Sequence, residues 1–303
     1  MRLPGLLIRL WKESPKKENG GTRNDFDLRT RSGRHTGPNR NLKGQILCTG
    51  GRKPFCRTSF MDNQTRLKQK AAHHAVRFIE SGMIIGLGTG STARFAVERL
   101  GELLRDGHLQ DVAGIPSSLQ TEKLARRAAV PLTDFRAQPV IDITIDGADE
   151  VDDSLNLIKG GGGALLREKV LAQASNRNII VVDANKMSAN LGNRWTVPVE
   201  VVPFALRSVE NFLKGLDSSV SLRKAADGAP FRTDQNNLIL DADFGLIKQP
   251  LELANTLASR AGIVEHGIFI SLTTDLIIAE QIGIRHLQKH NDQMVEMESK
   301  KFH

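Results

Sequence analysis

Residues 143–169 read ITIDGADEVDDSLNLIKGGGGALLREK, with five acids between Asp146 and Asp153. Lys159 follows them, then four glycines in a row, then Glu168. Carboxylates move protons, and an ammonium or a backbone N–H steadies an oxygen that becomes negative. A glycine run lets backbone come close to a ligand, because no Cβ stands in the way. A second stretch, GLGTGSTA at 86–93, alternates glycine with small residues. At a strand-to-helix turn its amides would form an anion site, helped by the hydroxyls of Thr89, Ser91 and Thr92.

Other chemistries fit these residues less well. GLGTGSTA is not a triphosphate loop, because no Gly-Lys-Ser/Thr follows. It is a poor dinucleotide fingerprint too: Ser91 stands where the third glycine belongs, and no acid ends a second strand at the right distance. A phosphate monoester suits it better, although a tight structural turn would use the same glycines. The acids of IDGADEVDD lack the spacing of a calcium loop and have no histidine beside them. A solvated acidic turn accounts for Asp152 and Asp153 better than for Asp146 and Asp149. Asp146 ends an apolar stretch, where open parallel sheets place ligands. Glu168 has a plainer reading as a surface partner of Arg167 or Lys169. The eight histidines form no set. Both cysteines, Cys48 and Cys56, lie before residue 60, so the body holds no thiol nucleophile and no thiolate metal site. What remains is a phosphate cradle, a carboxylate pair, a lysine and a further glutamate. That set suits proton abstraction beside the carbonyl of a sugar phosphate.

The surrounding pattern must hold these residues in place. Apolar spacing predicts helices over 63–81, from about 93, 118–129 and 164–174, with strands near 84, 112–116, 141–145 and 178–182. Such alternation indicates a parallel sheet with helices on its faces. VPVEVVPF at 197–204 is extended, a helix covers 207–216, a strand follows the TDQNN turn, and another helix covers 250–261. Two strand-like runs at 267–280 are expected to return to the main sheet, and the polar end past His286 to fray. The fold class is α/β: a Rossmann-like parallel-sheet domain, 61–196 plus 264–288, with a smaller inserted α+β domain, 197–263, and a polar tail, 289–303.

The net charge of +8 belongs to one end. Residues 1–60 hold 14 basic against 4 acidic side chains, while the remaining 243 hold 28 against 30. The body therefore offers no nucleic-acid face, and no run approaches the length of a membrane span. Residues 1–60 read as a disordered or targeting extension, although four acids weaken a transit-peptide reading. A cytoplasmic location is expected, with organellar import through this segment as the other reading.

GLGTGSTA, IDGADEVD, KGGGGALLREK, VVDANK and VPVEVVPFA occur in order over about 61–285. Together they resemble ribose-5-phosphate isomerase of the A type. The resemblance implies interconversion of D-ribose 5-phosphate and D-ribulose 5-phosphate through a cis-enediolate, with no cofactor, in a homodimer or homotetramer. It implies that Glu168 is the base and that Asp146 and Asp149 assist ring opening and transfer between oxygens. Lys159 and the amides of Gly160, Gly161 and Gly162 would stabilise the enediolate. Thr89, Gly90, Ser91 and Thr92, with Gly147, Ala148 and Lys186, would bind substrate. TDQNN at 233–237 departs from a commoner Asp-Asn-Gly-Asn pattern, remote from these motifs. A sugar-phosphate-sensing domain of a transcription regulator is the alternative. It lacks support in 1–60, which show no two-helix apolar pattern.

Overall fold

A computed structural model of the chain describes residues 63–290 and 293–301. All described elements belong to one unit, Arg57–His303. The expected extension at 1–60 lies outside the described residues.

The first helix, α1 (Asn63–Val76), buries Leu67, Ala71, Ala72, Ala75 and Val76, an apolar stripe at helical spacing. It stops before the expected residue 81. The amides of Arg77 and Phe78 bond back three residues, to His74 O and Ala75 O, and Gly82 takes a positive φ of 85°. Then come β1 (Ile84–Leu87), α2 (Ser91–Arg105), β2 (Ala113–Pro116), α3 (Leu119–Arg127) and β3 (Ile141–Asp146). The short strands β4 (Glu150–Val151) and β5 (Leu157–Ile158) precede α4 (Leu165–Gln173) and β6 (Ser175–Asp183). The next stretch holds β7 (Val197–Val201), α5 (Leu206–Lys214), β8 (Ser219–Leu222), β9 (Leu238–Asp243), α6 (Pro250–Ala258) and β10 (Ile263–His266). The chain closes with β11 (Ile268–Phe269), β12 (Asp275–Glu280), β13 (Gly283–His290) and β14 (Gln293–Lys301).

Seven strands form the main sheet in the order β14-β13-β12-β6-β3-β1-β2. From β12 to β2 they run parallel. Along β6, Ile179 and Val181 join one core with α1 and α2, while Ile180 and Val182 join another with Leu157 and Phe269. Successive side chains point to opposite faces, so a sheet buried on both sides needs an unbroken apolar run, and IIVV supplies it. A second sheet, β10-β7-β9-β8, packs with α5 and α6 around its own core. It continues past residue 263, because β10 pairs with β7 as far as His266.

Two expectations need correction. Of the two runs at 267–280, only β12 joins the main sheet; β11 pairs with β5 in a separate three-stranded sheet. The end past His286 is not frayed: β13 and β14 form an antiparallel hairpin on the edge of the main sheet. Buried Ile284 and His286 anchor it, the latter through an Nε2 contact of 2.8 Å to Asp275. No helix among the described residues is long and apolar enough to cross a membrane.

Candidate active site

Strand order places the site. The chain runs from β1 outward to β2, then crosses back over β1 to β3, so the winding reverses between β1 and β3. The carboxyl ends of neighbouring strands separate at such a point and leave a crevice. Leu87 ends β1 and Asp146 ends β3, which brings the Gly88–Gly90 turn beside the acidic loop. Gly88 N donates to Ile145 O at 3.0 Å, and a Cβ on Gly88 would overlap the Asp146 carboxylate, so only glycine permits this approach.

A cavity of about 130 Å³ opens there. Thr89, Gly90, Ser91, Thr92, Gly147, Ala148, Asp149, Lys159, Gly160, Gly161, Gly162, Glu168 and Lys186 all line it. Asp146 does not; it sits one layer behind. Its Oδ1 accepts from Thr89 N (3.1 Å) and Gly147 N (2.7 Å), and its Oδ2 lies 3.0 Å from Lys159 Nζ. Asp146 thus ties together the Thr89 and Gly147 amides and Lys159.

Lys159 is 4 % exposed and Glu168 6 %. Lys159 Nζ donates to Gly147 O at 2.5 Å and lies 3.4 Å from Glu168 Oε1. Burial alone would lower the ammonium pKa, but Asp146, Glu168 and Asp149 outweigh it and hold Lys159 above its ordinary value. Burial pushes Glu168 up to about 8; Lys159 opposes this, and Asp146 and Asp149 add to it. Burial also raises Asp146, against Lys159 and the Gly147 and Thr89 amides. Burial is the largest cause for both acids, and the one lysine among them, 3.0 Å from Asp146 and 3.4 Å from Glu168, offsets it only in part. Glu168 Oε2 is buried and has no hydrogen-bond partner. The surface-pair reading of Glu168 fails, because its neighbours turn elsewhere. Lys169 Nζ donates to Glu265 Oε1 at 2.6 Å, and Arg167 lies 3.9 Å from Asp234.

The other end of the cavity suits an anion. Gly90 caps α2 with φ 108° and no side-chain cap bond, so no side chain claims the first helical amides. Lys186 also lines this cavity, its Nζ 4.9 Å from the Trp195 ring centroid. Lys68, from the polar side of α1, also lines it, 3.8 Å from Asp183. Sequence reading missed Lys68, since nothing local separates it from other lysines of an amphipathic helix. Thr89 is less free than expected. Its amide serves Asp146, and its hydroxyl donates to Ser118 Oγ at 2.9 Å, in a cluster with Ser117 and Thr121.

The ribose 5-phosphate isomerase A (phosphoriboisomerase A) family model matches residues 113–283. A ribose-5-phosphate isomerase A of Desulfatibacillum aliphaticivorans is 52% identical over 228 residues, covering 75% of this chain and 99% of the relative. This chain belongs to the ribose 5-phosphate isomerase A family. Solved structures of the family superpose on it. One, a D-ribose-5-phosphate isomerase in complex with phospho-erythronic acid, is 37% identical with a TM-score of 0.72, covering 74% of this chain and 98% of that one. The ribose 5-phosphate isomerase of Plasmodium falciparum is 40% identical with a TM-score of 0.69, covering 78% and 100%.

Proposed function

We propose that this chain interconverts D-ribose 5-phosphate and D-ribulose 5-phosphate, with Glu168 carrying the carbon-bound proton. One observation carries the reading beyond family membership. A buried carboxylate with an unpaired oxygen stands on the cavity wall beside a buried lysine and a run of glycine amides. In the open-chain aldose, Glu168 takes the proton from C2, the C2–H electrons form the C1–C2 double bond, and the C1 carbonyl pair moves onto oxygen. Lys159 and the glycine amides stabilise the resulting enediolate. Glu168 returns the proton to C1 while the C2 hydroxyl proton passes to the C1 oxygen and the C2–O bond becomes a carbonyl, which yields the ketose. Asp149, whose Oδ2 accepts from Gly161 N at 2.7 Å, handles the hydroxyl protons. Asp146 positions Lys159. The α2 amides, Ser91, Thr92, Lys68 and Lys186 hold the phosphate, while Thr89 acts as a fixed spacer.

The test is conversion of ribose 5-phosphate by the purified chain, with and without EDTA. Turnover unaffected by EDTA is expected. Phospho-erythronic acid, whose planar carboxylate matches an enediolate, should inhibit competitively. A folded chain that binds ribose 5-phosphate without turnover would instead favour a sensing domain.

The same proposal includes a homodimer or homotetramer. Phe204, Leu246 and Leu251 are exposed apolar side chains that a second copy would cover. A monomer by light scattering at micromolar concentration would overturn it.

A further inference from the structure

Arg223 lies outside every motif that suggested the site. It directly follows β8, in the small sheet, and its backbone N donates to Ile239 O of β9. Its guanidinium Nε donates to Asp241 Oδ2 at 2.9 Å, and Nη2 pairs with Asp241 Oδ1. Nη1 reaches the glycine run that lines the cavity. It donates to Gly160 O at 2.7 Å and to Gly161 O at 3.0 Å. The guanidinium is planar, so holding two of its nitrogens on one carboxylate fixes where the third points.

Peptide geometry turns this into a statement about the site. In a trans peptide the C=O and N–H point in opposite directions, and the described residues contain no cis peptide. With the Gly160 carbonyl on Arg223, the Gly161 N–H points away and meets Asp149 Oδ2. With the Gly161 carbonyl on Arg223, the Gly162 N–H also points away from the guanidinium. Gly162 lines the cavity, and a Cβ there would meet only Thr89 Cγ2, at 3.8 Å. The space over the Gly162 Cα is therefore open to the cavity.

Resting on the isomerase reading above, we propose that Arg223, held by Asp241, is a positioning residue for the reaction. Together with the Gly163 N–H, which also donates to Gly160 O at 2.9 Å, it fixes two successive peptide planes, so that one amide anchors Asp149 and the next aims at the oxygen that becomes negative. Its charge also polarises both peptides and strengthens their N–H groups as donors. An Arg–Asp pair that only ties β8 to β9 would affect stability and leave kcat alone.

Arg223→Ala, Arg223→Lys and Asp241→Asn are assayed beside wild type, with thermal unfolding measured on each. Arg223→Ala should lower kcat about tenfold or more with KM within about threefold, since the donor matters most when charge develops. Inhibition by phospho-erythronic acid should weaken with it, and added guanidinium ion should restore part of the lost kcat. Arg223→Lys should behave like Arg223→Ala, because an ammonium cannot form the fork. A folded Arg223→Ala with normal kcat, or a loss confined to Tm, overturns the proposal. If Arg223→Ala does not fold, Asp241→Asn decides, since it keeps the Arg223 guanidinium and loosens the fork. Its kcat should fall at least about threefold, and an unchanged kcat overturns the clamp. A wild type that leaves ribose 5-phosphate unconverted sinks the isomerase reading itself, whereas an active wild type with a normal Arg223→Ala sinks only the clamp.

Discussion

Glu168 occupies an environment unlike that of a free carboxylate. Removing its charge while keeping its shape, as in Glu168→Gln, should cut kcat by about 10²- to 10⁴-fold and leave KM within a few fold. Near-normal turnover would end its assignment as base. Burial first, and the neighbouring acids second, push its pKa up to about 8. A base works when ionised, so kcat/KM should rise with pH and level off above about 8. A flat profile from pH 5 to 9 would mean that another group, or a non-chemical step, controls the rate. The sequence showed that a carboxylate followed the glycine run. It left open whether that carboxylate was buried, because exposure depends on what α4 packs against.

At the scale of elements, the β1–α2 turn proposed to hold the phosphate depends on a helix that is distant in sequence. Ser118 caps α3, its Oγ accepting from Thr121 N at 3.0 Å and from Thr89 Oγ1 at 2.9 Å. Thr121 Oγ1 donates in turn to Gly88 O at 3.0 Å. The β2–α3 turn therefore holds the β1–α2 turn through hydroxyls. Ser118→Ala should cost about 1 kcal/mol of stability, the usual effect of losing such a cap. It should raise KM more than it lowers kcat, because a phosphate is held equally in ground and transition states. Urea unfolding and steady-state kinetics would check both, and a kcat effect larger than the KM effect would contradict this role. The motifs made the glycine turn legible. The hydroxyl cluster was not, since SSLQT at 117–121 resembles any helix start.

Over the whole molecule, one buried group links function to stability. Below pH about 4.5 Glu168 is protonated both folded and unfolded. Between about 4.5 and about 8 the unfolded chain has released that proton and the folded chain keeps it. Stability from this group should therefore fall as pH rises through that window, and Glu168→Gln should flatten the slope. Denaturant midpoints at pH 5, 6.5 and 8 for both proteins would show this, and parallel curves would refute it. Asp275 runs the other way. Burial would raise it, but hydrogen bonds from Arg177, His286 and Thr274 prevail and hold it well below the usual carboxylate range. Its contribution is present at neutral pH and is lost only as acid titrates it.

The sequence by itself determined the α/β alternation, the glycine turn and the identity of the acids, lysine and glycines that gather at the strand ends. Those signals are local: side-chain periods, strand-to-helix glycines and motif order need no knowledge of distant packing. The tertiary structure decided which of those groups face substrate and in what state. It put Asp146 behind the wall, occupied both donors of Thr89, left one oxygen of Glu168 unpaired, and brought Lys68 and Arg223 to the site from other elements. It also turned the polar end of the chain into an edge hairpin. Burial and pairing belong to the convergence of segments far apart in the chain, so no local pattern carries them.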